Sequence, residues 1–170
     1  MKKNPTLENK DIVAKQVGIG AIIFHDLFNQ RIKNIDFSWK DVLSFEGTTG
    51  PYVQYTYARA GSILRKYGKK IDDSNINYQA LADDVTYALI KTLSGYEKAI
   101  ESAAFRYEPS VIARYLISLS TEFNKFYQEC KIIKEEDEEI KTARLYLICI
   151  VKEIIVEGCS LLGMQCPEEM

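Results

Sequence analysis

The sequence predicts an all-α protein, built as an antiparallel bundle of helices with short connections. Its 170 residues include only 4 Pro and 9 Gly, too few for the turns of a many-stranded β fold. Apolar residues recur with helical spacing along most of the chain, and no segment has a convincing strand pattern. A chain of this length buries about two-thirds of its unfolded surface on folding, so we expect one self-sufficient core.

The first half of the chain contains three predicted helical segments. Residues 10–33 form the first, with an apolar face of Ile12, Val13, Val17, Ala21, Phe24 and Phe28. Ser38 is expected to cap a short turn of helix over residues 41–45. After the loop 46–50, a helix begins at Pro51 and ends at Gly68. Its predicted core stripe consists of Val53, Tyr57, Ala60, Leu64 and Tyr67.

The second half contains three longer helical segments. Residues 77–106 carry helical spacing that is split at Ser94, where a capping-box pattern starts a new helix. Pro109 opens a helix that continues to about residue 133. The last helix covers about residues 138–162, and the remaining residues form a tail.

The net charge of −2 conceals an uneven distribution along the chain. Residues 1–70 carry +6, whereas residues 71–170 carry −8. The densest basic stretch, residues 51–70, holds five cations and no acid, and the densest acidic stretch is residues 135–139. An acidic half argues against wrapping of duplex DNA, but it permits a small, one-sided RNA contact.

A second stripe lies beside the core stripe on the helix after loop 46–50. Tyr52, Tyr55 and Arg59 are spaced i, i+3 and i+7, and this stripe is rotated by about 100° from the core stripe. Flat rings suit unstacked bases, and a cation suits phosphate. The spacing therefore predicts an all-α module that is a candidate for RNA binding through a tyrosine-bearing helix start.

No catalytic or metal-binding constellation is present in the sequence. The four cysteines lack CxxC spacing, His25 is the only histidine, and no phosphate-binding glycine loop, GxSxG or HExxH motif occurs. We expect packed cysteines in a reducing compartment, no catalytic residue and no metal site. The chain also lacks a signal peptide and any apolar segment of about 20 residues, which predicts a cytoplasmic protein without membrane contact.

One segment resembles a known family closely. Residues 45–59 read FEGTTGPYVQYTYAR, which is similar to the pattern FEGxTGPYLQYxxAR of arginyl-tRNA synthetases, except at Val53. In that family the pattern marks the passage from the class I catalytic core into the anticodon-binding domain. Ala143, Arg144 and Leu145 resemble part of the DALR signature, with Thr142 in place of the aspartate. The resemblance covers the chain from about residue 11.

This resemblance implies a helical bundle of the class I synthetase anticodon-binding type. Residues 1–45 would be a remnant of the catalytic domain's exit helices and connection, and residues 46–170 the anticodon-binding domain. Met170 would be the native C-terminus and Met1 the start of a truncated chain. The parent enzyme, an arginine–tRNA ligase, uses ATP, arginine and magnesium. Its ATP-handling motifs are missing here, so we expect no cofactor and no activity for this part alone.

The resemblance also implies a surface that reads the anticodon loop of arginine tRNA, with the catalytic domain in cis as the other partner. Tyrosine rings would stack on splayed bases, loop glycines would let the backbone approach RNA, and a methionine would offer an apolar contact. Tyr127 and Met170 come from the resemblance alone. The expected site residues are Glu46, Gly47, Thr48, Thr49, Gly50, Tyr52, Tyr55, Arg59, Tyr127 and Met170.

Two other functions compete with this interpretation. A helical protein-interaction module without RNA binding is the first alternative, and loss of Tyr52, Tyr55 and Arg59 would favour it, but all three are present. A free-standing enzyme is the second, and it lacks a nucleophile or metal site. The helix over residues 10–33, when separated from a catalytic partner, would expose apolar surface, which predicts dimerisation or disorder.

Overall fold

The computed structural model describes residues 9–30, 32–74 and 76–170, so the predicted start at Met1 lies outside the described residues. Seven α-helices, one 3₁₀-helix and no strand occur within these ranges, which confirms the all-α prediction. The helices are α1 Lys10–Phe28, α2 Trp39–Val42, α3 Gly50–Tyr67, α4 Asp84–Leu93, α5 Tyr96–Arg106, α6 Ser110–Glu129 and α7 Glu138–Leu161, with the 3₁₀-helix at Tyr78–Leu81. None of the described helices is long and apolar enough to cross a membrane.

Helix α6 lies at the centre of the bundle, where it contacts α1, α3, α4, α5 and α7. Its side chains Leu116, Leu119, Phe123 and Phe126 are fully buried, and each such burial contributes about 1.5–3 kcal/mol. Helix α3 packs against α1, α6 and α7. The two helices that carry the predicted tyrosines, α3 and α6, are therefore held rigidly side by side.

The ends of α3 follow from its flanking residues. Thr49 is the N-cap, and its Oγ1 accepts a hydrogen bond from the backbone N–H of Tyr52 at 3.2 Å. The helix begins at Gly50, so Pro51 occupies the second position rather than the predicted first. Gly68 ends it with a φ of 68°, and its N–H donates to the carbonyl of Leu64 at 3.1 Å.

Two helices stop earlier than the sequence predicts. Helix α1 ends at Phe28 rather than at residue 33, because Asn29 turns to an extended conformation with ψ of 149°. The side-chain amide of Asn29 then donates to the carbonyl of His25 at 2.8 Å and satisfies a free helix end. Helix α6 ends at Glu129 rather than at residue 133, because Cys130 is extended.

The two predicted serine caps do not form. Helix α2 follows Ser38 and covers Trp39–Val42 instead of residues 41–45, but the serine side chain makes no cap hydrogen bond. The predicted split at Ser94 is real, yet its Oγ donates back to the carbonyl of Lys91 at 2.8 Å. In place of a helix that starts at residue 77, α4 begins after Asp83, which caps the N–H of Thr86 at 2.8 Å.

The predicted apolar faces are correct in outline but differ at their edges. On α1, Val13, Val17, Ala21 and Phe24 are buried, whereas Ile12 is 59% exposed. Helix α7 is buried over a wide arc of its surface, because it packs against α3, α6 and the 3₁₀-helix. Ile148, Ile155 and Cys159 are fully buried there, whereas Leu161 at the end of the helix is 53% exposed.

Candidate nucleic-acid interface

Tyr52, Tyr55 and Arg59 of α3 meet Asn124 and Tyr127 of α6, and we call these five residues the aromatic cluster. Burial of the core stripe sets the rotation of α3, so the second stripe lies at the edge of the core and beside α6. All three members on α3 are half-buried, whereas Val53 and Tyr57 of the core stripe are buried. The structure therefore separates the two predicted stripes as their spacing requires.

Arg59 lies between the two tyrosine rings of the cluster. Its guanidinium carbon is 4.7 Å from the ring centre of Tyr55 and 5.0 Å from that of Tyr127. One terminal nitrogen donates to the Tyr55 hydroxyl at 3.1 Å, and the other donates to Oδ1 of Asn124. Two cation–π contacts and two hydrogen bonds hold this cation in one orientation before any ligand arrives.

Asn124 links the cluster across the two helices, and sequence reasoning missed it. Its Nδ2 donates to the Tyr52 hydroxyl at 3.0 Å and to Oγ1 of Thr56 at 3.3 Å. The sequence carries one signal for it, because Asn124 precedes Tyr127 by three residues on a helix and therefore shares its face.

A groove of about 550 Å³ opens beside the cluster. It brings together four of the predicted site residues, Tyr55, Arg59, Tyr127 and Met170, from three distant parts of the chain. The remaining lining residues are Ala58, Ser62, Ile63, Arg65, Lys66 and Glu169. Tyr52 joins through its hydrogen bond to Asn124 rather than through the groove wall.

The loop 46–50 divides into an exposed part and a packed part. Glu46, Gly47 and Thr48 are exposed, and Gly47 has a φ of 80°, a left-handed conformation that favours glycine. Thr49 is engaged as the N-cap of α3, and its hydroxyl donates to the carbonyl of Ser44 at 2.6 Å. The exposed part therefore stands next to the first turn of α3.

Gly50 has a packing role in the structure. It is buried, and a Cβ there would lie 2.7 Å from the carbonyl oxygen of Gly20 and 2.8 Å from Cβ of Phe24. Helices α1 and α3 therefore approach closely at this point, which only a glycine at position 50 permits. Of the two loop glycines in the predicted site, Gly47 is therefore exposed and Gly50 is buried.

The predicted tail packs along α3. Met164 is buried, and the side-chain amide of Gln54 donates to the carbonyl of Gln165 at 2.7 Å. Further on, the hydroxyl of Tyr57 donates to the carboxylate of Glu168. These contacts carry Met170 into the groove, and no local pattern signals them because the partners are 111 residues apart.

Glu168 holds this tail through ion pairs with Arg65 and Lys152. Partial burial alone would raise its pKa, but hydrogen bonds from Lys152 and Tyr57 and the charge of Arg65 outweigh burial, so its pKa lies below its ordinary value. Lys152 Nζ lies 2.8 Å from the carboxylate. Burial and the same carboxylate raise the pKa of Tyr57. The contact is therefore a charged one at neutral pH.

Acidification is expected to loosen the tail through Glu168. Because the pKa of Glu168 is lower in the folded chain than its ordinary 4.5, its contribution is complete above 4.5 and is lost as the pH falls through the folded value. Its side chain is 57% exposed, so the contribution is about 1 kcal/mol or less. Thermal unfolding of Glu168→Gln and the original chain should differ at about pH 7 and converge near pH 3.

Glu138→Gln provides the matched control for this measurement. Glu138 forms an exposed i, i+3 pair with Lys141 at 2.6 Å, far from the tail. A pH-dependent difference of the same size for Glu138→Gln would contradict a specific role of Glu168.

Arg144 of the Ala-Arg-Leu element has a structural position away from the groove. It bonds to the carboxylate of Glu135 at 2.9 Å, the carbonyl of Lys131 at 2.8 Å and the carboxylate of Asp83 at 3.5 Å. Burial opposes ionisation of Asp83, but hydrogen bonds from Thr86 and the charge of Arg144 lower its pKa overall. This network ties α7 to the start of α4.

The groove and its aromatic cluster occur in a chain with clear relatives. The family described as DALR anticodon binding domain matches residues 53–170. The chain is 51% identical over 169 residues to the arginine–tRNA ligase of Alkaliphilus metalliredigens, covering 99% of this chain and 30% of that protein. It is 48% identical over 171 residues to the arginine–tRNA ligase of Halothermothrix orenii, covering 99% of this chain and 29% of that protein.

Two solved structures share the fold. Arginyl-tRNA synthetase from Thermus thermophilus aligns with a TM-score of 0.88 at 35% identity, over 99% of this chain and 29% of that one. Arginyl-tRNA synthetase from Plasmodium falciparum aligns with a TM-score of 0.84 at 27% identity, over 96% of this chain and 29% of that one. The chain thus spans about 30% of the length of the relatives it matches. It belongs to the DALR anticodon-binding domain family.

Proposed function

We propose that the chain grips the anticodon loop of an arginine tRNA, as one part of an arginine–tRNA ligase. The observation that carries this proposal is the groove in which Tyr55, Arg59, Tyr127 and Met170 converge from three distant segments. The part of such an enzyme that precedes this chain would activate arginine with ATP and magnesium. The segment described here would bind RNA without a cofactor of its own.

Each part of the surface has a task in this proposal. The rings of Tyr52, Tyr55 and Tyr127 offer stacking faces and hydroxyls to splayed bases of the loop. Glu46, Gly47 and Thr48 flank the bases from the exposed part of loop 46–50, which Thr49 and Gly50 hold in place. Met170 adds a flexible apolar contact at the groove.

The charges of the groove suit a polyanion. Arg59, Arg65 and Lys66 line it, and the acidic side chain among its described lining residues, Glu169, lies 3.4 Å from the guanidinium of Arg65. An acid that is already paired repels phosphate less than a free one would. Binding should therefore weaken as salt rises, because each neutralised phosphate releases counterions.

A second exposed surface, which is apolar, supports a catalytic domain in cis. The outer face of α1 and the segment after it expose Ile12, Ile19, Ile22, Phe37 and Trp39. We assign residues 1–45, of which 1–8 lie outside the described residues, to the connection with that domain, and residues 46–170 to anticodon binding. The inner face of α1 nevertheless packs into the core of the bundle, so α1 would connect the catalytic domain to the anticodon-binding domain.

Isolated from such a domain, the chain is expected to dimerise through this face. Ile12→Glu combined with Ile19→Glu should convert the dimer to a monomer, because two charges on the apolar face disfavour its burial. Light scattering after size exclusion measures the mass directly. Ile133→Glu, a change at another exposed isoleucine that lies outside α1, should leave the dimer intact. A monomeric original chain would contradict the prediction.

The proposed function is tested by fluorescence anisotropy of a labelled arginine-tRNA anticodon stem-loop at low salt. A loop with a swapped central anticodon base should bind more weakly. Tyr127→Ala should weaken binding by about tenfold, since a stacking contact contributes about 1–3 kcal/mol. Tyr87→Ala, at an exposed tyrosine of α4, is the matched control and should bind normally.

The alternatives predict different outcomes. Equal binding to every loop would reduce the groove to a non-specific polycation contact. No binding at all would favour the helical protein-interaction module, with the groove and the exposed α1 face as docking surfaces for protein.

A further inference from the structure

The side chain of Asn124 can adopt only one amide orientation inside the aromatic cluster. The guanidinium of Arg59 is solely a donor, so the atom of Asn124 that faces it must be the oxygen. The amide nitrogen consequently faces the hydroxyl of Tyr52 at 3.0 Å and Oγ1 of Thr56 at 3.3 Å. The direction of each hydrogen bond in the network is therefore fixed. A flipped amide would place the N–H donors of Asn124 against the N–H donors of Arg59.

These directions determine what the tyrosine hydroxyls can offer. The oxygen of Tyr52 accepts from the amide of Asn124, and the oxygen of Tyr55 accepts from Arg59 at 3.1 Å. Each hydroxyl has one proton, which cannot point at a group that is itself donating. Within residues 9–30, 32–74 and 76–170, neither hydroxyl donates to a protein acceptor. Both protons therefore remain for a ligand.

We propose that Asn124 is a positioning residue that sets the hydroxyls of Tyr52 and Tyr55 as donors, directly and through Arg59. Together with the unused N–H groups of Arg59, the cluster presents donors and selects RNA atoms that accept hydrogen bonds. Suitable acceptors are phosphate oxygens or the carbonyl and ring-nitrogen atoms of bases. This inference rests on the proposed function and specifies the chemistry that its site recognises.

A double-mutant cycle tests the role of Asn124. Asn124→Asp keeps an acceptor for Arg59 but removes the donor to Tyr52, so the Tyr52 proton turns toward the new carboxylate. Tyr52→Phe removes that hydroxyl. Each single change should weaken stem-loop binding by about tenfold, the cost of one hydrogen bond to a charged or well-placed acceptor. In the Tyr52→Phe background, Asn124→Asp should weaken stem-loop binding only through its added negative charge.

The control for added charge is Ser118→Asp, an exposed position on the same helix outside the groove lining. Thermal unfolding of each variant separates folding from binding. If Asn124→Asp costs the same with and without the Tyr52 hydroxyl, Asn124 acts by charge or structure alone and the inference is overturned.

Changes in the RNA give a second measurement that needs no variant at position 124. Methylphosphonate linkages placed along the loop remove phosphate acceptors, whereas 7-deazaguanosine for guanosine or 3-deazacytidine for cytidine removes a ring-nitrogen acceptor of a base. One such change should weaken binding to the original chain by about tenfold and to Tyr52→Phe much less. If the phosphate changes weaken binding, the acceptor is a phosphate oxygen, and if the base changes do so, the acceptor is a base atom.

The outcomes distinguish this inference from the proposed function. Specific stem-loop binding that is indifferent to every acceptor change overturns the inference and leaves anticodon binding in place. Failure of the original chain to bind any stem-loop overturns both.

Discussion

Replacing Arg59 with alanine is expected to weaken binding of the anticodon stem-loop by about 100-fold, equivalent to about 2.7 kcal/mol. The change removes a cation from the groove and also releases the rings of Tyr55 and Tyr127, which the guanidinium contacts at 4.7 and 5.0 Å. It further leaves Oδ1 of Asn124 without its donor. Titration of the labelled stem-loop at several salt concentrations measures the loss, and the salt slope should fall by about one phosphate contact.

Two further variants separate the contributions of Arg59. Arg59→Lys keeps the charge but loses the planar fork that bonds to two partners, so binding should fall between the original chain and Arg59→Ala. Arg114→Ala is the matched control, because Arg114 also lies over a ring, that of Phe28 at 5.9 Å, but outside the groove lining. A loss for Arg59→Ala no larger than that for Arg114→Ala would contradict a central role for Arg59.

The part of this site that could be predicted from sequence is the part fixed by one helix. Thr49 and Gly68 mark the ends of α3. Within these ends, helical spacing alone predicts that Tyr52, Tyr55 and Arg59 share one face. The core stripe on the same helix is correct for the same reason. A capped helix depends on residues that are close in sequence, so its ends and faces can be predicted from a short segment.

The remainder depends on contacts between distant segments, which no local pattern encodes. The tail reaches the groove because Gln54 and Tyr57 bond to residues 111 positions away. Asn124 bonds to residues 65 and 72 positions away. The predicted caps at Ser38 and Ser94 do not form for a related reason. A capping pattern contributes less free energy than the tertiary packing that decides where each helix begins.

Replacing Gly50 with alanine is expected to destabilise the fold by about 2–3 kcal/mol through overpacking. The added Cβ would meet the carbonyl oxygen of Gly20 at 2.7 Å, and this backbone atom cannot move aside as a flexible side chain can. The control is Gly18→Ala on the facing helix α1, where a Cβ meets nothing within 4 Å. Alanine there should stabilise by about 0.5–1 kcal/mol, because glycine is a poor helix former.

The same pair of variants decides which role Gly50 has at the interface. If Gly50 acts by packing α1 against α3, chemical denaturation will show the loss of stability, and the fraction that remains folded at low temperature will still bind the stem-loop nearly normally. If Gly50 instead lets RNA approach the backbone, Gly50→Ala will weaken binding while the unfolding midpoint stays unchanged. The buried position of Gly50, against the exposed one of Gly47, favours the first outcome, because a buried backbone offers no surface to a ligand.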